Sequence, residues 1–174
     1  MICLFKAAAA EEEKKKKIEK ANMTIQELFL SQLGKENTRG ISAFGNWLNG
    51  KLTYYEKGKV VKEYKIRHEM TNALGTLHGG VIASILDEII GMTVISLEFT
   101  HLKTTVNLNV DYFYPAMEGQ TLIATAQMIK EGKKISHLQG ELIEKESGKM
   151  IARAITNMFT TDIPVDLSRL EDKG

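Results

Sequence analysis

Cysteine is nearly missing from this chain: Cys3 is the single one among 174 residues. One thiol cannot form an internal disulfide, so a secreted, disulfide-stapled domain is excluded. Only Lys6 stands near Cys3 to activate it, and the thiol is read as inert. An excess of charge is missing too, because 23 basic residues meet 22 acidic ones for a formal net charge of +1. That balance carries no overall signature of nucleic-acid binding. No apolar run is long enough to cross a bilayer; the longest is interrupted by Asp87 and Glu88. Residues 1–10 lack the basic and apolar regions of a signal peptide, so the cytoplasm is the expected compartment.

Several motifs are absent as well. No glycine-rich phosphate loop of the GxGxxG or GxxxxGK[ST] type occurs. No GxSxG elbow occurs, which argues against a serine-hydrolase triad. His68, His78, His101 and His137 are scattered without metal-ligand spacing, so no zinc site is expected.

What remains suits one ordinary domain, with a hydrophobic share of 43%. Residues 7–20 read AAAAEEEKKKKIEK, with glutamates four residues ahead of lysines. This composition favours a solvated helix or a frayed tail. The chain is therefore divided into a charged extension, 1–22, and a domain, 23–174. Thr24 and Glu27 have the spacing of a capping box for a short helix over 25–33, which Gly34 ends. From Phe44 to Ile66 the apolar residues alternate, predicting a hairpin that turns at Glu56-Lys57-Gly58-Lys59.

The segment 79–97, GGVIASILDEIIGMTVISL, is the one long apolar helix candidate. Projected at roughly 100° per residue, its apolar side chains cover more than half the circumference, leaving a strip of Ser84, Asp87, Glu88 and Gly91. Such a helix must be buried nearly all round. Four strands follow, 104–114, 120–130, 134–144 and 149–161, read as a meander. In the first, Val106, Leu108, Val110, Tyr112 and Tyr114 point one way and Thr105, Asn107, Asn109 and Asp111 the other. The fold class is α+β, an antiparallel sheet wrapped around one helix.

Chemistry concentrates at the head of that helix and on its polar strip. Gly79 and Gly80 weaken a helix but expose backbone N–H groups, which at a helix N-terminus can polarise a carbonyl; a plain tight turn is the other reading. Asp87 is costly to bury, and partial desolvation would make it a better base. Glu88 borders the apolar arc, as a solvent-facing residue or the partner of a cation. His78 sits where positive charge is disfavoured and reads as neutral support for the glycine turn. Lys130, Lys133 and Lys134 flank a turn and can act as point charges toward phosphate.

The stretch Asn72-Ala73-Leu74-Gly75-Thr76-Leu77-His78-Gly79-Gly80, followed by Leu86-Asp87-Glu88 and by residues 105–116, TVNLNVDYFYPA, resembles the hotdog-fold acyl-CoA thioesterases of the phenylacetate-degradation type. The resemblance spans about residues 45–161. It implies a long helix wrapped by a sheet, edge-to-edge dimers, a homotetramer and active sites between subunits. It implies hydrolysis of an acyl-CoA to the acid and coenzyme A. Asp87 would be nucleophile or general base, and the Gly79 or Gly80 N–H would polarise the carbonyl. Asn72 and His78 would lie beside the sulfur, and Thr105 of a neighbouring subunit would position water. Lys133 and Lys134 would meet the coenzyme phosphates. No metal and no redox cofactor is implied, and coenzyme A enters only as part of the substrate. A non-catalytic acyl-CoA-binding module would keep the fold and lose the carboxylate. A hydroxyacyl-thioester dehydratase would carry a proline-rich histidine loop, whereas this chain has only Pro115 and Pro164.

Overall fold

The computed structural model describes residues 24–36 and 42–165. Cys3, the charged extension 1–22 and the polar tail after Val165 lie outside the described residues. Helix α1 (Ile25–Gln32) begins at the anticipated capping box: the Thr24 Oγ1 accepts from the Glu27 N–H at 3.2 Å, and the Glu27 carboxylate accepts from the Thr24 N–H at 2.8 Å.

The chain then departs from the reading of a hairpin starting at Phe44. Residues Ala43–Leu48 form a short helix, α2, capped by the Ser42 Oγ, which accepts from the Gly45 N–H at 2.8 Å. Asn49 closes it in the left-handed region at φ 52°. Phe44, Trp47 and Leu48 have helical rather than alternating spacing, which explains why this segment leaves the strand pattern. The hairpin proper is β1 (Lys51–Glu56) and β2 (Lys59–Lys65), turning through Gly58 at φ 82°.

A 3-10 turn, His68–Met70, leads to the central helix α3 (Gly79–Ile95), and β3 (His101–Tyr112), β4 (Thr121–Lys130), β5 (Ile135–Glu144) and β6 (Met150–Pro164) follow. All pairings are antiparallel in one six-stranded sheet of order β1-β2-β4-β5-β6-β3. The four-strand meander is thus corrected: β4, β5 and β6 are consecutive neighbours, but β3 pairs with β6 at the far edge. Alternation identifies a strand's faces and says nothing about its neighbours. After β3 the chain passes the head of α3, where the Leu77 N–H donates to the Ala116 carbonyl at 2.7 Å, and enters the sheet beside β2.

The sheet curls around α3, burying Ile82, Ile85, Leu86, Ile89, Ile90 and Val94. Each such side chain contributes roughly 1.5–3 kcal/mol by leaving water. Gly140 on β5 allows the closest approach, because a Cβ there would stand 3.1 Å from the Leu86 Cδ2.

A second correction concerns β3. Thr105 pairs with Met158 and Asn107 with Asn157, so Val106 is an extra residue in a bulge. The bulge reverses the alternation. Thr105 shares the helix-facing side with Leu108, Val110 and Tyr112, while Val106 is 60% exposed.

One inner position is occupied by a charge. Lys62 on β2 is only 1% exposed, beside the buried ring of Tyr64. Both press against Gly50, where a Cβ would stand 2.9 Å from the Lys62 Cε. Burial depresses the Lys62 ammonium to about 8, opposed by the Glu88 carboxylate. Burial in turn raises Glu88 above the usual carboxylate range, while Lys62 and the Ser42 hydroxyl, 3.5 Å away, oppose the rise. Glu88 is therefore set toward a buried cation rather than toward open water.

The Lys62 depression makes stability depend on pH. Above about 8 the folded lysine is neutral while the unfolded lysine stays protonated up to its ordinary 10.5, so unfolding takes up a proton and stability rises with pH. From pH 7 to 9.5 this rise should reach about 2 kcal/mol. Urea unfolding at the two pH values will show it in the wild-type chain, and Lys62→Met will remove it.

Candidate active site

Two separate groups of the residues singled out in the sequence assemble around α3. The first is at its head. Asn72 organises the preceding loop: its Oδ1 accepts from the N–H groups of Leu74 at 2.9 Å and Thr76 at 3.2 Å, and its Nδ2 donates to the Thr76 Oγ1 at 2.8 Å. Short bridges from Thr71 to Leu77 and from Thr76 to Met117 hold the loop against the sheet. His78 is the N-cap, in extended conformation at φ −64° and ψ 133°. Its Nδ1 accepts from the Gly80 N–H at 2.9 Å, so that nitrogen carries no proton.

This cap distinguishes the two glycines. The Gly80 N–H is taken by His78, and the N–H groups of Val81 and Ile82 reach the His78 carbonyl at 2.9 and 3.1 Å. Among the described residues nothing accepts from the Gly79 N–H. It is the open donor at the positive end of a 17-residue helix. The Tyr112 hydroxyl donates to the Gly79 carbonyl at 3.2 Å, tying the end of β3 to the same turn. The sequence reading did not select Tyr112 for the site; its hydrogen bond to the Gly79 carbonyl does.

The second group lies further along the helix. The Thr105 Oγ1 donates to the Asp87 Oδ1 at 3.3 Å. Asp87 is exposed, and its other carboxylate oxygen has no partner among the described residues. Thr105 therefore meets the Asp87 of its own chain. The Val106 bulge is the cause, because without it Thr105 would point to the outer face.

The structure does not bring these groups together within one chain. Gly79 and Asp87 are eight residues apart on one straight helix. At 1.5 Å per residue the separation is about 12 Å along the axis. The lysine pair lies elsewhere again, at the β4–β5 turn near the C-terminal end of α3. Lys134 is engaged there: its Nζ donates to the Asp162 carboxylate at 3.0 Å and sits 5.7 Å from the Phe159 ring centroid. Lys133 is exposed. Among the described residues no three His, Cys, Asp or Glu side chains converge as metal ligands, and no helix is long and apolar enough to cross a membrane.

With this geometry in place, the chain can be compared with known proteins. The family model described as Thioesterase superfamily matches residues 74–151, from the loop before α3 into β6. Human acyl-coenzyme A thioesterase 13 is 38% identical over 106 residues, covering 60% of this chain and 76% of the relative. The medium/long-chain acyl-CoA thioesterase YigI of Escherichia coli is 29% identical over 131 residues, covering 66% of this chain and 84% of the relative. Among solved structures, zebra fish thioesterase superfamily member 2 aligns with a TM-score of 0.67 at 26% identity, covering 80% of this chain and all of that one (100%).

The contrast between the glycines is testable by proline substitution. Gly79 is the first helical residue, where proline is well tolerated, and the extended His78 is compatible with a following proline. An added Cβ at Gly79 would meet only the Tyr112 ring at 3.6 Å. Gly79→Pro should unfold within a few degrees of the wild type. Gly80→Pro should lose about 1 kcal/mol or more, because it removes the cap bond and forces a helical residue to precede proline. Thermal unfolding of the two variants makes the comparison.

Proposed function

The chain belongs to the thioesterase superfamily, and from that premise we propose that its substrate is an acyl-coenzyme A, hydrolysed to the free acid and coenzyme A. The observation that carries the residue assignment is the pairing of an open Gly79 N–H with an Asp87 carboxylate oriented by Thr105. Asp87 takes a proton from water as the water oxygen attacks the thioester carbonyl carbon. The negative charge that develops on the carbonyl oxygen is held by the Gly79 N–H and the field of the α3 terminus. Collapse of the tetrahedral intermediate breaks the carbon–sulfur bond and releases coenzyme A as thiolate. The thiolate is a good leaving group, so one base and one oxyanion donor suffice without a triad.

The site is shared between two copies of the chain. Catalysis needs the oxyanion donor about 2.7–3.1 Å from the carbonyl oxygen and the attacking atom about 3–3.5 Å from its carbon. The 12 Å or so between Gly79 and Asp87 on one helix exceeds this reach several-fold. Asp87 and Thr105 of one copy therefore face the Asn72–Gly80 turn of another. The sheet offers the means, because β3 is a 12-residue edge strand with Val106 and Leu102 exposed along it and Tyr112, Phe113 and Tyr114 exposed at its end. A long exposed edge of this kind is a template for pairing, and two-fold pairing creates two equivalent sites at once. A dimer of such dimers gives the homotetramer that the family resemblance implies. Lys133, supplied by a neighbouring copy, is assigned to the coenzyme phosphates. Asn72 and His78 shape the glycine turn beside the sulfur.

Free-thiol release from acyl-CoA esters tests the reading. Asp87→Asn should lower kcat by about a hundredfold or more while leaving the unfolding midpoint in place. Gly79→Pro should lower kcat by about 10²–10³, the range for loss of one oxyanion donor. Thr105→Ala, which leaves the carboxylate present but less fixed, should cost less than either. No thiol from any ester with a folded wild-type oligomer would overturn the assignment. Labelled water in a single turnover separates attack by water from direct attack by Asp87: label carried into the Asp87 carboxylate would establish the direct route.

A further inference from the structure

A cavity of about 210 Å³ opens beside α3, one turn beyond Asp87. Gly91, Val94 and Ile95 of the helix form one wall, and Phe99, Leu102 and Met158 form the other. It borders the helix face that carries Asp87. Gly91 follows Asp87 by four residues, and Met158 is the sheet partner of Thr105, the residue that holds Asp87. Lys103 also borders the cavity, but its Nζ is turned away, donating to the Ser136 Oγ at 2.9 Å and lying 3.8 Å from the Glu131 carboxylate. Glu98 and Val165 complete the lining, whose exposed surface is almost wholly apolar.

Gly91 is the unusual residue here. Glycine in a helix interior weakens the helix relative to alanine. Where a neighbour crowds the backbone, as Leu86 does at Gly140, the missing side chain has a packing reason. At Gly91 there is none, because an added Cβ would meet nothing within 4 Å. The space left open by the missing side chain borders the cavity that Gly91 lines.

Resting on the thioesterase reading above, we propose that this cavity holds the acyl group and that Gly91 sets its size, which makes the substrates apolar acyl groups of medium length. An apolar cavity of about 150 Å³ accepts a benzene ring, and this one is larger, so a chain of roughly eight carbons or an arylacetyl group fits. An acyl group ending in a carboxylate is excluded, because the lining surface is almost wholly apolar and Glu98, another carboxylate, offers it no counter-charge. Acetyl leaves the cavity unfilled and forgoes the binding that places the carbonyl against Asp87.

The test compares wild type with Gly91→Ala and Gly91→Leu, whose side chains enter open space rather than a packed neighbour. Two readouts are used: kcat/KM for acetyl-, octanoyl- and succinyl-CoA, and calorimetric binding of the unhydrolysable thioether S-octyl-coenzyme A against coenzyme A itself. The wild type should prefer octanoyl over both other esters by at least about tenfold, as expected when several methylenes are buried. Gly91→Leu should cut the octanoyl-to-acetyl ratio by about tenfold and weaken S-octyl-coenzyme A relative to coenzyme A, with Gly91→Ala between. An unchanged ratio and unchanged thioether affinity in Gly91→Leu would overturn the assignment of the cavity, whatever the rates. Thioether binding that depends on residue 91 without hydrolysis of any ester would uphold the cavity and overturn the catalytic reading.

Discussion

The rest of the structure depends on the burial of α3. A helix that is apolar over most of its circumference cannot stand beside a sheet; it has to be enclosed. Six strands curl round it, and the packing is close enough that a side chain at Gly140 would crowd Leu86 and Ile90. What the sheet leaves uncovered is the narrow strip of small and polar residues. The proposed chemistry is confined to that strip and to the helix head, the parts of α3 that its own sheet does not cover. Even Glu88, at the edge of the strip, is drawn inward toward the buried Lys62.

A rigid helix is also a ruler. It presents a free N–H at its first residue and a carboxylate eight residues later, about 12 Å apart along the axis, too far for both to reach one carbonyl. The rigidity that fixes each half of the site separates the halves. In the proposed shared site a second copy resolves this, and the exposed β3 edge lies on the same side of the helix as Asp87, because Thr105 of that strand is the residue touching it. In the proposed dimer, sheet pairing and site assembly are one event. The apolar cavity along the second half of α3 extends the same line from Asp87 toward Ile95.

Much of this was legible from residues alone. The helix was expected over 79–97 and spans Gly79–Ile95, and the hairpin, the α1 capping box and strands β3 to β6 fall near their expected places. Pattern failed where two patterns overlap or where pairing is decided by tertiary closure. Phe44, Trp47 and Leu48 fit an alternating reading when scanned with the strand behind them, yet Ser42 and Asn49 cap them as a helix. The place of β3 beside β6 depends on how the sheet closes round α3. The bulge at Val106 is invisible to strict alternation, and it decides whether Thr105 faces Asp87 or solvent. In the site, the glycine turn and Asp87 stood out by composition. That Gly79 rather than Gly80 offers the free N–H required the hydrogen bond from Gly80 to His78. Tyr112 and the opening at Gly91 are products of packing.

The shared site is tested most directly by mixing two inactive chains. Asp87→Asn lacks the base but keeps the glycine turn; Gly79→Pro lacks the oxyanion donor but keeps Asp87. In a two-fold dimer containing one of each, one site carries both defects and the other carries none. If the site is built from two copies, equal mixing with subunit exchange should restore about a quarter of the wild-type thioester hydrolysis, since half the dimers are mixed and half their sites are intact. Mixed oligomers that form, shown by mass, and yet recover nothing above the parent variants would contradict the account and place the whole site within a single chain.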